Sequence, residues 1–198
     1  MPSASWARLL LHTSVSGSDA LAEHAALLAR VEELLPDVDD VARRLISCFD
    51  GGGRVYTFGN GGSSADAAHF AEELLGRYKR ERRPLPAQSL SVDAAALTCI
   101  ANDFSYDEVF ERQVRGFVRR GDVVIGFSTS GRSPNVVRGL AAARELGAAT
   151  VLFGGGPPAA EHADVVLQIP SESTARIQEM HVVLLHLILE QVDAWAAS

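Results

Sequence analysis

Two short loops rich in serine and glycine, each placed where an apolar run gives way to a helical one, constrain this chain more than any other feature. The first, Gly59-Asn60-Gly61-Gly62-Ser63-Ser64, follows Arg54-Val55-Tyr56-Thr57-Phe58. The second, Ser128-Thr129-Ser130-Gly131-Arg132-Ser133, follows Val123-Val124-Ile125-Gly126-Phe127. A short, continuous apolar run is how a strand buried on both faces reads. The helix after it aims free backbone N–H groups and the positive end of its dipole at the loop. Glycine lets the backbone come close to a bound group, and serine hydroxyls add donors. Two such loops on one sheet edge form a cradle for an anion, and a phosphate or phosphosugar suits it best. One loop would carry little, because Gly-Ser turns are common. The pair carries the argument.

The rest of the chain alternates in the same way. Residues 18–35 and 37–50 read as amphipathic helices broken near Pro36. Strand 53–58 leads to helix 63–76, then strand 87–91, with helical stretches at 94–100 and 106–119. Strand 122–127 leads to helix 133–146, stopped by Gly147. Strands 149–153 and 164–169 follow, and a helix from about 174 to 195 ends the chain. Alternation of this kind predicts an α/β fold with a parallel sheet covered on both faces. Ligands of such sheets sit at the carboxyl ends of the strands, where both loops fall. Residues 1–17 read as a loose extension and 18–198 as a single domain. The last helix, from Ile177 to Leu189, is apolar on more than one face, so it is buried within the domain or against another subunit. The second option points to an oligomer.

Composition narrows the function. The net charge is −7, which argues against nucleic acid, whose phosphates need clustered Lys and Arg. The one basic cluster, Arg77 to Arg83, reads as a solvated loop. No apolar run approaches the roughly 20 residues of a membrane span, and Leu9-Leu10-Leu11 is too short for a signal sequence. Cys48 and Cys99 lack CxxC spacing and read as buried thiols in a reducing cytoplasm.

Few side chains stand out for chemistry. His69 and Glu73 are i, i+4 neighbours on the helix after the first loop. That spacing lets both approach one metal ion, and it equally fits a surface His–Glu pair. Gln178, His181 and His186 lie on the last helix, where a histidine on an apolar face is usually a satisfied core residue. Gln178 and His186 are roughly 12 Å apart along the axis. They reach one centre only by leaning together, or if one belongs to a neighbouring subunit. Asn102 and Asp103 fit either a cleft or a helix C-terminal turn. His12 and His24 show no partner, and His162-Ala163-Asp164 reads as a loop entering a strand. Nucleotide-binding signatures are absent.

Taken in order, Phe58-Gly59-Asn60-Gly61-Gly62-Ser63, Ala68-His69-Phe70-Ala71-Glu72-Glu73-Leu74, Asn102-Asp103-Phe104, Ser128-Thr129-Ser130-Gly131 with Ser133 and Asn135, and Ala175-Arg176-Ile177-Gln178-Glu179 with His181 closely resemble the phosphoheptose isomerases of the sugar isomerase (SIS) domain superfamily. The likeness runs from about residue 18 to the C-terminus. It implies a flavodoxin-like sheet of five parallel strands in a homotetramer with sites at subunit interfaces. It implies zinc held by His69, Glu73, Gln178 and His186. It implies substrate contacts from Asn60, Gly61, Gly62, Ser63, Glu73, Asn102, Asp103, Ser128, Thr129, Ser130, Ser133 and Gln178. Interface sites would ease the Gln178–His186 separation. Two departures stand out: the segment Phe153-Gly154-Gly155-Gly156-Pro157-Pro158 is compressed, and the N-terminal extension is longer than the likeness leads one to expect.

The implied reaction turns sedoheptulose 7-phosphate into an aldoheptose 7-phosphate through an enediol. It needs a base on carbon and an acid on oxygen, and Glu73 and His186 are the candidates. Three rivals stand beside it. A non-catalytic SIS scaffold that binds a protein partner would lack this acid–base pair. A sugar-phosphate-sensing regulator would bring a DNA-binding segment. An SIS isomerase for another sugar phosphate would differ only in carbon number.

Overall fold

The strands form where the apolar runs predict them: β1 at Val55–Gly59, β2 at Ala87–Ser89, β3 at Val123–Ser128, β4 at Ala149–Gly155 and β5 at Val165–Ile169. They make one parallel sheet in the order β2-β1-β3-β4-β5. The computed structural model describes residues 16–156 and 163–198. His12, the Leu9–Leu11 run, His162 and nearly all of the expected extension lie outside the described residues.

Seven helices cover this sheet among the described residues: α1 Gly17–Val31, α2 Leu35–Asp50, α3 Gly62–Leu75, α4 Ala94–Asp103, α5 Val109–Phe117, α6 Pro134–Glu145 and α7 Thr174–Ala196. Side chains alternate across a strand, and the core divides accordingly. Val55, Ile125, Phe127, Val151 and Phe153 pack under α2, α3 and α7. Tyr56, Phe58, Val124 and Leu152 pack under α5 and α6. Phe58, Phe127 and Phe153 are fully enclosed, each such side chain contributing about 1.5–3 kcal/mol of burial.

The chain order reverses between β1 and β3, which lie side by side although β2 intervenes in sequence. At such a switch point the connections leave for opposite faces and open a crevice at the carboxyl ends of the two strands. Both Ser/Gly loops sit at that crevice. α3 leaves β1 for one face and α6 follows β3 on the other.

Several boundaries differ from expectation, each for a local reason. Ser16 caps α1 and exchanges hydrogen bonds with Asp19 in a capping box, so helix begins at Gly17. Pro36 does not break the chain there. It lies in the first turn of α2, where its missing N–H costs nothing, and the break is the single 3₁₀ turn Glu32–Leu34 before it. α4 runs on to Asp103, so Asn102 and Asp103 form its last turn rather than follow it. The helix expected over 106–119 is a 3₁₀ turn, Tyr106–Glu108, and then α5, which ends at Phe117. Cys48 is buried as expected, but Cys99 is exposed. α7 presents one buried stripe, Ile177, Met180, His181, Leu184, Leu185, Ile188, Leu189 and Val192, covered by its own chain. No helix among the described residues is long and apolar enough to cross a membrane.

Candidate active site

The second loop is built on its own hydroxyls. Ser128 Oγ lies 2.9 Å from Ser133 Oγ and 3.4 Å from Ser130 Oγ. Ser130 Oγ accepts from the Arg132 N–H at 3.2 Å. Gly131 turns the chain at φ +66, a conformation other residues rarely adopt. Ser128 is buried and Ser130 exposed, so the hydroxyl row runs from the sheet edge to solvent. In the first loop Gly61 and Gly62 are exposed, while Ser63 is buried under Gly59 and its N–H donates to Asn60 O at 3.0 Å. Ser64 Oγ turns back to Gly61 O at 2.6 Å. The free surface of this loop is therefore glycine backbone at the start of α3. A Cβ on Gly62 would run into the side-chain amide of Gln178, so any larger residue there would displace that amide.

α3 and α7 run alongside one another in the same direction. Gly62 meets Gln178 at one end, and His69 and Glu73 meet His186 further along. One donor atom each from His69, Glu73 and His186 lies within 4.8 Å of the other two. His69 Nε2 is 3.4 Å from Glu73 Oε1, and Glu73 Oε2 has no protein hydrogen-bond partner among the described residues. The His69 and His186 rings meet edge to face at 5.2 Å, and Tyr78 stacks on His186 at 5.6 Å. Burial lowers the pKa of His186, with His69 adding to the effect and Glu73 opposing it. The ring is thus biased toward the neutral form, which both donates and accepts a proton.

Two imidazoles and one carboxylate are a donor set suited to zinc. Donors of a tetrahedral site with bonds of ~2.1 Å stand roughly 3.4 Å apart, so these three need to close by only about an ångström. The expected fourth ligand, Gln178, sits on the same helix as His186, with its side-chain amide against Gly62 at the start of α3. The His69–Glu73 pair is half-buried and faces His186, so it is not a pair on open surface. No neighbouring chain is needed to bring His186 to Glu73.

The other expected site residues also fall at this edge. Asn102 and Asp103 are exposed at the end of α4, just before Tyr106, whose hydroxyl donates to Asn60 Oδ1 at 3.0 Å. His181 is a core residue, fully buried between Phe127 and Phe153. His24 does have a partner, with Nδ1 2.7 Å from Glu179 Oε2. Asp164 binds Thr150 N at 2.8 Å and Thr150 Oγ1 at 2.9 Å, pinning β5 to β4. The basic cluster is not simply solvated, because the Arg82 side chain is only 1% exposed and is paired with Asp193.

Sequence reasoning assigned no role to Asp66, Tyr78, Tyr106 or Asn135. Asp66 lies one turn before His69, and burial pushes its carboxyl up to about 6 although His69 pulls the other way. Its position on the same stripe of α3 was the available signal. For Asn135 the signal was its place in the second motif.

A cleft of about 930 Å³ also opens at the opposite, amino edge of the strands, lined by Arg43, Arg54, Arg119, Arg120 and Gly121 among others. It lies at the carboxyl ends of α2, α5 and α6, where arginines offset the negative ends of the helix dipoles. Neither Ser/Gly loop and none of the His–Glu cluster reaches it.

Comparison with known proteins bears on this geometry directly. The SIS domain model matches residues 21–155. The phosphoheptose isomerase of Aquifex aeolicus is 47% identical over 168 residues, spanning 84% of this chain and 88% of its own. That of Paramagnetospirillum magneticum is 46% identical over 183 residues, 89% of this chain and 94% of its own. The chain belongs to the phosphoheptose isomerase family of SIS-domain proteins. The solved phosphoheptose isomerase of Neisseria gonorrhoeae superposes with a TM-score of 0.83 at 36% identity, over 89% of this chain and 96% of that one. The one from Francisella tularensis gives 0.85 at 28% identity with the same coverage. The matched residues 21–155 include both loops, His69 and Glu73, and the shared fold is the flavodoxin-like sheet described above.

Proposed function

We propose that this chain is an aldose–ketose isomerase that converts D-sedoheptulose 7-phosphate into D-glycero-D-manno-heptose 7-phosphate, working as a homotetramer. The observation that carries the reading is that α3 and α7 meet at the glycine loop, Gly62 against Gln178, and meet again at the His69–Glu73–His186 cluster further along. His69 stands about 10 Å along α3 from Gly62. That separation suits a substrate whose phosphate is remote from its reacting carbons. Membership of a family named for phosphoheptose isomerisation supports the seven-carbon chain. The cluster also favours an enzyme over a scaffold that keeps only the loops.

The hydroxyls of Ser128, Thr129, Ser130 and Ser133 and the backbone at Gly61 and Gly62 bind the phosphate, and Asn102, Asp103 and Gln178 bind the sugar hydroxyls. That binding energy positions the far end of the sugar. Glu73, through its unpartnered Oε2, takes a proton from C1 and returns it to C2. His186 gives a proton to the C2 oxygen and takes one from the C1 oxygen, which the neutral imidazole can do in either order. Atoms balance across the enediol: two hydrogens leave and two return. His69, Glu73 and His186 would hold zinc, which would supply Lewis-acid stabilisation of the developing enediolate charge.

Incubation of the purified protein with sedoheptulose 7-phosphate and zinc, followed by NMR, should show an aldoheptose phosphate without ATP or a nicotinamide. Glu73→Gln should lower turnover by about 10²–10⁴-fold in a folded protein. Glu72→Gln should cost far less, because Glu72 is exposed one position off the cluster. No conversion by the wild type, or equal losses at the two glutamates, would overturn the assignment.

A further inference from the structure

The first loop's side chain best placed to meet a substrate is already engaged. Asn60 Nδ2 donates to Asn135 Oδ1 at 2.9 Å, and Asn135 Nδ2 donates back to Asn60 Oδ1 at 2.8 Å. Asn60 Oδ1 also accepts from the Tyr106 hydroxyl at 3.0 Å. Asn135 Oδ1 takes a second bond, from the Val136 N–H at 3.0 Å, one of the orphan donors at the start of α6. Asn135 is 2% exposed. Both lone-pair directions of each amide oxygen and one N–H of each amide are therefore used. The pair joins the loop after β1 to the helix after β3 across the switch point, the two halves of the anion cradle.

We propose that Asn135 is a positioning residue for the isomerisation, clamping the two loops through its reciprocal amide pair with Asn60. Asn60 acts in that clamp rather than by offering its side-chain oxygen to the substrate. The inference rests on the reading of the loops as the phosphate site. It adds that their spacing is set by one buried amide pair, steadied at the rim by Tyr106. A reciprocal amide pair holds distance and orientation together, because each group is donor and acceptor at once. Burial removes water as a competitor for these bonds. A shift of about an ångström in such a cradle can lower turnover about a hundredfold with no reacting group touched.

The test uses zinc-supplemented, full-length protein, with inorganic phosphate as a competing probe beside the substrate. Asn135→Ala should lower kcat/KM about ten- to a hundredfold and weaken phosphate competition while the protein stays folded. Asn60→Ala should do the same, and the double variant should be no worse than either single one, because both remove one shared interaction. Asn135→Asp puts a carboxylate oxygen opposite Asn60 Oδ1, so it should be as poor as Asn135→Ala at neutral pH. Its activity relative to wild type at the same pH should recover as pH falls, since a protonated carboxyl again donates and accepts. A merely structural asparagine would lower the melting temperature and leave kcat/KM of the folded protein within about twofold, which would overturn the proposal. Losses that multiply in the double variant would overturn it too, by showing that Asn60 meets the substrate independently. Should phosphate fail to compete even in the wild type, the phosphate-site reading itself falls and takes the clamp with it.

Discussion

His181 shows how one residue type serves two purposes on a single helix. It is fully buried, with Nε2 3.3 Å from Gly154 O, while Nδ1 is buried without a partner. Only a neutral ring with its proton on Nε2 satisfies this site. Burial accordingly pulls the pKa from 6.5 down to about 4, the bond to Gly154 opposing weakly. A folded pKa below the unfolded one means the stabilisation is complete above about 6.5 and is lost as pH falls toward 4. The difference amounts to roughly 3 kcal/mol. We therefore expect His181→Gln to flatten the stability profile between those limits while costing stability at pH 7, with denaturant midpoints measured across pH as the readout. An unchanged slope would assign the acid loss to other groups. His181 was legible as a core histidine because an apolar helical face already predicts one. His24 was not, since its partner Glu179 lies 155 residues away. The Glu73–His186 meeting followed from the family resemblance and not from spacing, because spacing within one helix says nothing about the neighbour it faces.

At the scale of elements, the site depends on how α3 lies against α7, and a buried ion pair fixes this. Arg82 Nε donates to Asp193 Oδ1 at 3.0 Å, and both side chains are 1% exposed. Its other nitrogens donate to Leu74 O at 2.9 Å and Glu73 O at 2.6 Å, the open carbonyls at the end of α3. One guanidinium thus caps α3 at Glu73 and ties that turn to α7, which carries His186. The Asp193 carboxyl is held below the usual range although burial pushes it up. The Arg80 N–H and the guanidinium groups of Arg82 and Arg80 outweigh that push. Lys79 and Glu190 pair nearby at the exposed surface. Breaking a buried pair leaves a charge stranded, at about 3–5 kcal/mol, whereas an exposed pair contributes about 0–1 kcal/mol. Asp193→Asn should therefore shift the denaturation midpoint strongly and lower kcat, while Glu190→Gln does neither. Equal effects would show that the pair holds no register. In sequence the run from Arg77 to Arg83 has the composition of a solvated loop. What separates Arg82 from its neighbours is an acidic partner on the last helix, and charge counting cannot see that.

For the whole molecule, topology was the most legible level, because alternating apolar runs and a reversal of strand order leave one crevice at which two loops can converge. Assembly was the least legible. The apolar helix α7, which argued for a partner chain, buries one stripe in its own domain and leaves Val182, Val183 and Leu187 half-buried. Among the exposed apolar side chains of the described residues are two that flank α4, a helix with no fully buried residue: Val92 at 62% and Phe104 at 52% exposure. Phe104 adjoins Asn102 and Asp103, the last turn of α4, at the rim of the site. If a neighbouring subunit packs there, it closes the rim without supplying the acid–base pair. Light scattering should then give about four times the 21.1 kDa chain mass, and Val92→Glu should reduce it by placing a charge in the contact. The decisive experiment mixes two inactive proteins, Glu73→Gln and His186→Ala, under conditions of proven subunit exchange. Both residues converge within one chain, so every subunit in the mixture carries one lesion in its own cluster and no activity should return. Recovered turnover would mean that the working site takes Glu73 and His186 from different subunits.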